Sequence, residues 1–159
     1  MKPEAIIFDC DGVLVNTEFL YARTFSAALA TVGIHKTAQS CFKDLCGLPL
    51  DQCYRLIEQD YRCRLPSTFS DTLHEMTDAV LMDELKPNPG IETLLHQLAA
   101  SNIPICVASN GATEKIKRNL CWAELEQFFL PETIFGVDQV KRAKPAPDIF
   151  LHAAANMQF

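Results

Sequence analysis

The sequence predicts an α/β protein with a Rossmann-like parallel-sheet core interrupted by an inserted α-helical segment. Three observations lead there. Short apolar runs ending in turn residues recur toward both ends of the chain, at 5–8, 104–108 and 133–135, the form taken by strands of a buried parallel sheet. Each is followed by a stretch whose apolar residues return at three- and four-residue steps. Between the first two runs, residues 16–85 hold helical patterns only. Strand–helix alternation at the ends around an all-helical middle is the signature of a parallel core with an insertion. The predicted organisation is therefore core 1–15, helical insertion 16–85, and core resumed over 86–159.

The elements follow in order. Residues 5–8 run straight into Asp9-Cys10-Asp11-Gly12. Residues 17–32 place Phe19, Ala22, Phe25, Ala28, Leu29 and Val32 at helical spacing. Asn16 or Thr17 can cap that helix, Glu18 suits its positive end, and Gly33 stops it. Further helices are expected over 37–46, 51–61 and from Pro66 onward, the last with Phe69, Leu73, Met76, Val80 and Leu81 on one side. Lys86-Pro87-Asn88-Pro89-Gly90 is the densest cluster of breakers and marks a boundary. Beyond it come a helix over 91–100, a strand over 104–108 and the turn Ser109-Asn110-Gly111. A helix over 113–120, a short strand over 133–135 and a last helix over 147–156 follow.

The bulk numbers narrow the function classes. With 159 residues, 48% hydrophobic and 21% charged, the chain reads as an ordinary globular protein. A net charge of -6 disfavours nucleic acid and anionic membrane as partners. No apolar stretch approaches the roughly 20 residues needed to span a bilayer. Met1-Lys2-Pro3-Glu4 and the short run after it do not form a secretory signal. The seven cysteines are scattered without a Cys-x-x-Cys pair. The spacing of Cys41, Cys46, Cys53 and Cys63 matches no zinc template, so they read as small hydrophobes in a reducing compartment. A cytoplasmic location is expected.

The acid pair asks for an explanation. Asp is a poor strand former, and two carboxylates one residue apart repel. In open parallel sheets ligands bind beyond the carboxyl ends of the strands. Asp9 ends one strand, Ser109 another, and Lys144 follows the third, so three useful groups converge on one rim. A magnesium-like cation there would relieve the repulsion through oxygen ligands. A calcium loop is a poor alternative, because its sixth and twelfth places hold Leu14 and Leu20 instead of glycine and glutamate. Asp-Gly as a mere turn, Ser-Asn-Gly as a generic turn and Lys144 as a solvated lysine are the bland readings. Order and location argue against them together.

These residues resemble the haloacid dehalogenase-like superfamily, in its phosphatase and β-phosphoglucomutase-like branch. The resemblance runs through Phe8-Asp9-Cys10-Asp11-Gly12-Val13-Leu14, through Val107-Ala108-Ser109-Asn110, and through Lys144-Pro145-Ala146-Pro147-Asp148, in the family's order over essentially the whole chain. It implies that the helical insertion is a cap and that phosphoryl transfer proceeds through a phospho-aspartate. Asp9 would be the nucleophile, and Asp11 the acid that protonates the leaving alkoxide and later deprotonates water. Magnesium would be held by the Asp9 carboxylate and the Asp11 carbonyl. Ser109, the amides of Asn110 and Gly111, and Lys144 would hold the phosphoryl oxygens.

Two departures accompany the resemblance. Asn16 stands where many relatives carry Asp. No acid follows Asp148, whereas the family has a fourth acidic signature on a later strand beside the one that carries the nucleophile. A truncated chain with an exposed sheet edge, impaired in catalysis and prone to self-association, is the expectation drawn from this. The leading reading is a magnesium-dependent phosphatase of a small phosphorylated metabolite, such as a sugar phosphate or phosphorylated sugar acid. A phosphomutase is the first alternative, weakened because Phe19-Leu20-Tyr21 occupy the place where that kind carries a histidine. The second is a fragment that binds phosphate or a partner without catalysis. Within the cap, the turn 46–50 is a candidate lid loop, and Arg23, Lys43 and Arg55 are candidate anion contacts, with a helix connection and solvated charges as the plainer readings.

Overall fold

The structure, a computed structural model, describes residues 3–158; Met1, Lys2 and Phe159, which enter the reading of the two chain ends, lie outside the described residues. Three parallel strands, β1 (Ile6–Phe8), β2 (Ile105–Ala108) and β3 (Ile134–Phe135), form one sheet in the order β1-β2-β3. Ile6, Ile7 and Phe8 stand opposite Ile105, Cys106 and Val107, and Val107 and Ala108 stand opposite Ile134 and Phe135. This register brings the carboxyl ends of all three strands to the same edge.

The strands differ in burial for a simple reason. β2 has a neighbour on each side, and its Cys106, Val107 and Ala108 are fully buried. β1 pairs only with β2 among the described residues, so Phe8 is buried while Ile6 and Ile7 remain half-exposed. An apolar run that reads as buried thus forms the outer strand of the described sheet.

The chain divides into two compact units, one of residues up to 16 and from 85 onward, the other of Thr17–Glu84. The first unit holds the sheet with α5 (Ile91–Ala100), α6 (Thr113–Trp122) and α7 (Asp148–Asn156). Ile149 and Ala153 of α7 pack on Cys106, Ala108 and Phe135, which fixes the last helix against β2 and β3. The second unit is helical: α1 (Thr17–Thr31), α2 (Ala38–Leu45), α3 (Leu50–Tyr61) and α4 (Phe69–Glu84). Phe25, Tyr54 and Phe69 stack pairwise at 5.7–6.1 Å between ring centres, and Leu29, Ile57 and Leu73 complete that core. Thr37 caps α2 through the N–H of Ser40 at 3.2 Å.

The expected cap of α1 is corrected. The Asn16 side-chain oxygen accepts the N–H of Lys86 at 3.0 Å, and the buried Thr17 hydroxyl has no hydrogen-bond partner among the described residues. Asn16 therefore ties together the two backbone segments that flank the insertion, since its own N–H donates to the Lys86 carbonyl as well. The cysteines divide by place: Cys10, Cys41, Cys53 and Cys106 are buried, Cys63 is half-buried, and Cys46 and Cys121 are exposed. Burial pushes the Cys106 thiol up to about 11, which leaves it protonated and unreactive at neutral pH.

Four carboxylates are held below their ordinary range, each by a bonded donor: Asp44 by Lys36, Glu84 by Arg23, Asp138 by the backbone of Thr113, and Asp148 by Arg142. A carboxylate depressed in the folded state contributes stability that is present above its unfolded pKa of about 4 and lost as pH falls through the lower folded value. The melting temperature is therefore expected to hold from neutral pH down to about pH 5 and to fall steadily below about pH 4. Asp138→Asn should shrink that fall. An unchanged acid limb in the variant would remove Asp138 from the account.

Candidate active site

The rim is built first by β1 and the loop after it. The chain leaves Phe8 as a strand and turns at Gly12, whose φ of 71° lies in the left-handed region that glycine tolerates. The Cys10 carbonyl accepts the N–H of Leu14 at 2.9 Å and of Val15 at 3.2 Å, and Gly12 N–H donates to Val15 at 2.9 Å. Leu14 and Val15 are fully buried, so the loop is pinned at its far end. Cys10 is buried between the two acids, and its thiol is pushed well above the ordinary range, chiefly by desolvation and then by the Asp11 charge. It is a packing residue.

Each of the two acids meets a lysine. Asp9 Oδ1 lies 3.2 Å from Lys144 Nζ and accepts the N–H of Cys10 at 2.8 Å. Both contacts fall on Oδ1 of a side chain that is 41% exposed. Asp11 faces α6 instead: Oδ2 accepts from Lys115 Nζ at 3.1 Å and Oδ1 from Asn119 Nδ2 at 3.3 Å. The repulsion inherent in the acid pair is thus offset within the protein by two cations on two different elements.

Lys144 is held from several directions. Its Nζ also donates to the Ala108 carbonyl at 2.8 Å, at the end of β2, and lies 4.9 Å over the Phe150 ring. Its backbone is gripped by the Asn110 carboxamide, which accepts the Lys144 N–H at 2.8 Å and donates to the Lys144 carbonyl at 3.3 Å. Ser109 is buried at the end of β2, and its hydroxyl accepts the N–H of Gly111 at 3.2 Å. Asp9, Ser109, Asn110, Gly111 and Lys144 are thereby linked along one rim, and Asp11 stands beside them on the α6 side. Asn110 enters through its side chain, as a clamp on Lys144.

The oxygen chemistry fits a magnesium-class cation: a half-exposed carboxylate and a main-chain carbonyl, the Cys10 thiol between them being buried and protonated. Among the described residues no group of three or more His, Cys, Asp and Glu could hold a metal. Water and a bound phosphate would have to supply most of the coordination, which is how magnesium is commonly held.

Two features of the rim were not legible beforehand. Lys115 and Asn119 bind Asp11 from α6, and the only sequence signal is that Asn119 occupies a place on the apolar face with Ile116 and Leu120. The start of α6 is capped from a distance, because Asp138 Oδ1 accepts the Thr113 N–H at 2.7 Å and its hydroxyl at 3.0 Å. Gly136 permits that approach. A Cβ there would stand 2.3 Å from the Thr113 nitrogen and 2.5 Å from Asp138 Oδ1. Gly136→Ala is expected to destabilise the protein by about 1–3 kcal/mol, seen as a melting temperature several degrees lower. An unchanged melting curve would show that the α6 start moves freely.

Comparison with known proteins places these features in a family. The family described as haloacid dehalogenase-like hydrolase matches residues 6–159. A 6-phosphogluconate phosphatase of Escherichia coli is 30% identical over 155 residues, covering 97% of this chain and 68% of that protein. A phosphorylated carbohydrates phosphatase of Thermotoga maritima is 30% identical over 149 residues, covering 93% of this chain and 68% of that one. Among solved structures, a HAD family hydrolase from Deinococcus radiodurans with bound phosphate and sodium superposes with a TM-score of 0.82 at 27% identity. That match covers 98% of this chain and 68% of the other.

Proposed function

The chain belongs to the haloacid dehalogenase-like hydrolase family, and on that premise we propose that it is a phosphatase of small phosphorylated metabolites that works through a phospho-aspartate on Asp9. The observation that carries this reading is the Asp9–Lys144 pair at the rim of the parallel sheet, with Ser109 at the end of the neighbouring strand. The names of the two relatives support sugar phosphates and phosphorylated sugar acids as the class to test first. The phosphate and sodium in the Deinococcus structure support an anion-binding site in that relative.

Asp9 Oδ2 is the oxygen that attacks phosphorus, because Oδ1 is engaged by Lys144 and Cys10. As the new O–P bond forms, the P–O bond to the substrate alkoxide breaks, and Asp11 hands its proton to that leaving oxygen. In the second half, water attacks the phosphorus of the acyl phosphate and Asp11 takes the proton. Phosphate departs and the Asp9 carboxylate is regenerated. Lys144 and the Ser109 hydroxyl neutralise and orient the transferred oxygens, and the Gly111 N–H is freed for them when Ser109 turns to the phosphoryl group. Magnesium bound by the Asp9 carboxylate and the Asp11 carbonyl would supply charge neutralisation for the nucleophile and the incoming phosphate.

The test is phosphate release by the purified chain across sugar phosphates, phosphorylated sugar acids, polyol phosphates and nucleotides, with magnesium and with chelator. Magnesium-dependent release from at least one sugar-type ester is expected. No release from any of them would overturn the reading. Conversion of one sugar phosphate isomer to another without release would favour the mutase alternative.

A further inference from the structure

We propose that Lys115 and Asn119 of α6 are positioning residues for Asp11, holding its carboxyl group so that its proton reaches the leaving oxygen; the inference rests on the phosphatase reading above. Three observations support it. The two residues lie one helical turn apart, so both side chains leave the same face of α6. They take one oxygen each of the Asp11 carboxylate, Lys115 at 3.1 Å and Asn119 at 3.3 Å. A carboxylate gripped at both oxygens cannot rotate about its last bond without breaking a contact.

Asn119 supplies the third observation. The residue is 1% exposed, and its buried amide oxygen has no hydrogen-bond partner among the described residues. A leucine would fill that place beside Ile116 and Leu120 without leaving a buried acceptor unpaired. The amide is costly to keep there, and the side-chain bond it makes among the described residues is to Asp11. α6 itself is anchored at its start by Asp138 and Gly136, so the grip is applied from a fixed base. An ionised carboxylate has about four acceptor sites, and the two α6 contacts fall one on each oxygen. Asp9 has no such grip from α6, which separates the tasks of the two acids.

Leaving-group chemistry tests the role. An alkoxide must be protonated as it leaves, whereas 4-nitrophenolate departs as a stable anion at neutral pH. kcat/KM reports phosphoryl transfer to Asp9 with release of that group. The experiment compares wild type, Lys115→Met, Lys115→Arg and Asn119→Leu on 4-nitrophenyl phosphate and on a polyol or sugar phosphate that wild type hydrolyses. For Lys115→Met and Asn119→Leu we expect kcat/KM on the alkyl ester to fall by about 10- to 100-fold while the aryl ester changes by less than about 3-fold. Lys115→Arg, which keeps a charged donor, is expected to recover most of the loss. Equal losses on both esters would mean that Lys115 binds phosphate or supports the fold, and would overturn the inference. No loss on either ester would overturn it as well. A wild type inactive on every ester overturns the phosphatase reading itself, and this inference with it. Lys115→Met keeps the test decisive if Asn119→Leu fails to fold, because Lys115 is 36% exposed at its side chain.

Discussion

Asp9→Asn is expected to abolish turnover, by at least about 10⁴-fold, as loss of a nucleophile does in other covalent enzymes, while leaving the fold intact. An amide is nearly the same size as the carboxylate and can still accept the Cys10 N–H through its oxygen, so the turn into Gly12 survives. The lost pair with Lys144 involves a side chain that is 41% exposed, and pairs of that kind contribute only about 0–1 kcal/mol. The chemistry does not survive, because a neutral amide oxygen is a poor nucleophile and cannot form the acyl phosphate. Mass spectrometry of acid-quenched protein should find a phosphoryl group on the Asp9 peptide of wild type and none on the variant. Near-normal turnover with an unchanged melting curve would remove Asp9 from the central role.

The legibility of this molecule was uneven, for physical reasons. Periodicity located each α-helix of the described residues to within a few residues: α5 appears over Ile91–Ala100 as expected, and α2 begins one residue later because Thr37 is its cap. The short strands were legible because an apolar run ending in an acid or serine has few other uses. Thr133 is the exception, since it belongs to a 3-10 turn rather than to β3. Such turns are too short to leave a period. Asp9 and Ser109 directly follow β1 and β2, whose ends share an edge of the parallel sheet, and the loop after β3 brings Lys144 to Asp9.

What escaped were contacts made across long sequence separations by residues with ordinary local readings. Lys115 looks like one more lysine in Lys115-Ile116-Lys117-Arg118, and only the fold shows that it turns to Asp11. Asp138 caps a helix that began 25 residues earlier, while caps are sought next to the helix they serve. The Asn110 side chain locks the backbone that presents Lys144, a partner 34 residues away that its local sequence does not signal. The local reading of Asn16 failed in the same way, because a distant partner, Lys86, outcompeted the nearby helix amides.

Lys144→Met should cost about 10²- to 10³-fold in kcat, the scale of losing one preorganised donor to a developing oxyanion. The side chain is only 17% exposed and Nζ is held from three directions, by Asp9, by the Ala108 carbonyl and by the Phe150 ring. It is therefore oriented before substrate arrives and needs no reorganisation as charge builds on the transferred oxygens. The loop itself should keep its place in the variant, because Asn110 holds the Lys144 backbone rather than its side chain. Stability should fall by about 1 kcal/mol for the donor lost to Ala108. Lys144→Arg is not expected to rescue activity, since a planar guanidinium cannot occupy the point-like position of an ammonium between Asp9 and the strand end. Because the contact strengthens as charge develops, the loss should appear in kcat more than in KM. A variant that melts lower but turns over normally would mean that Lys144 only balances the charge of Asp9.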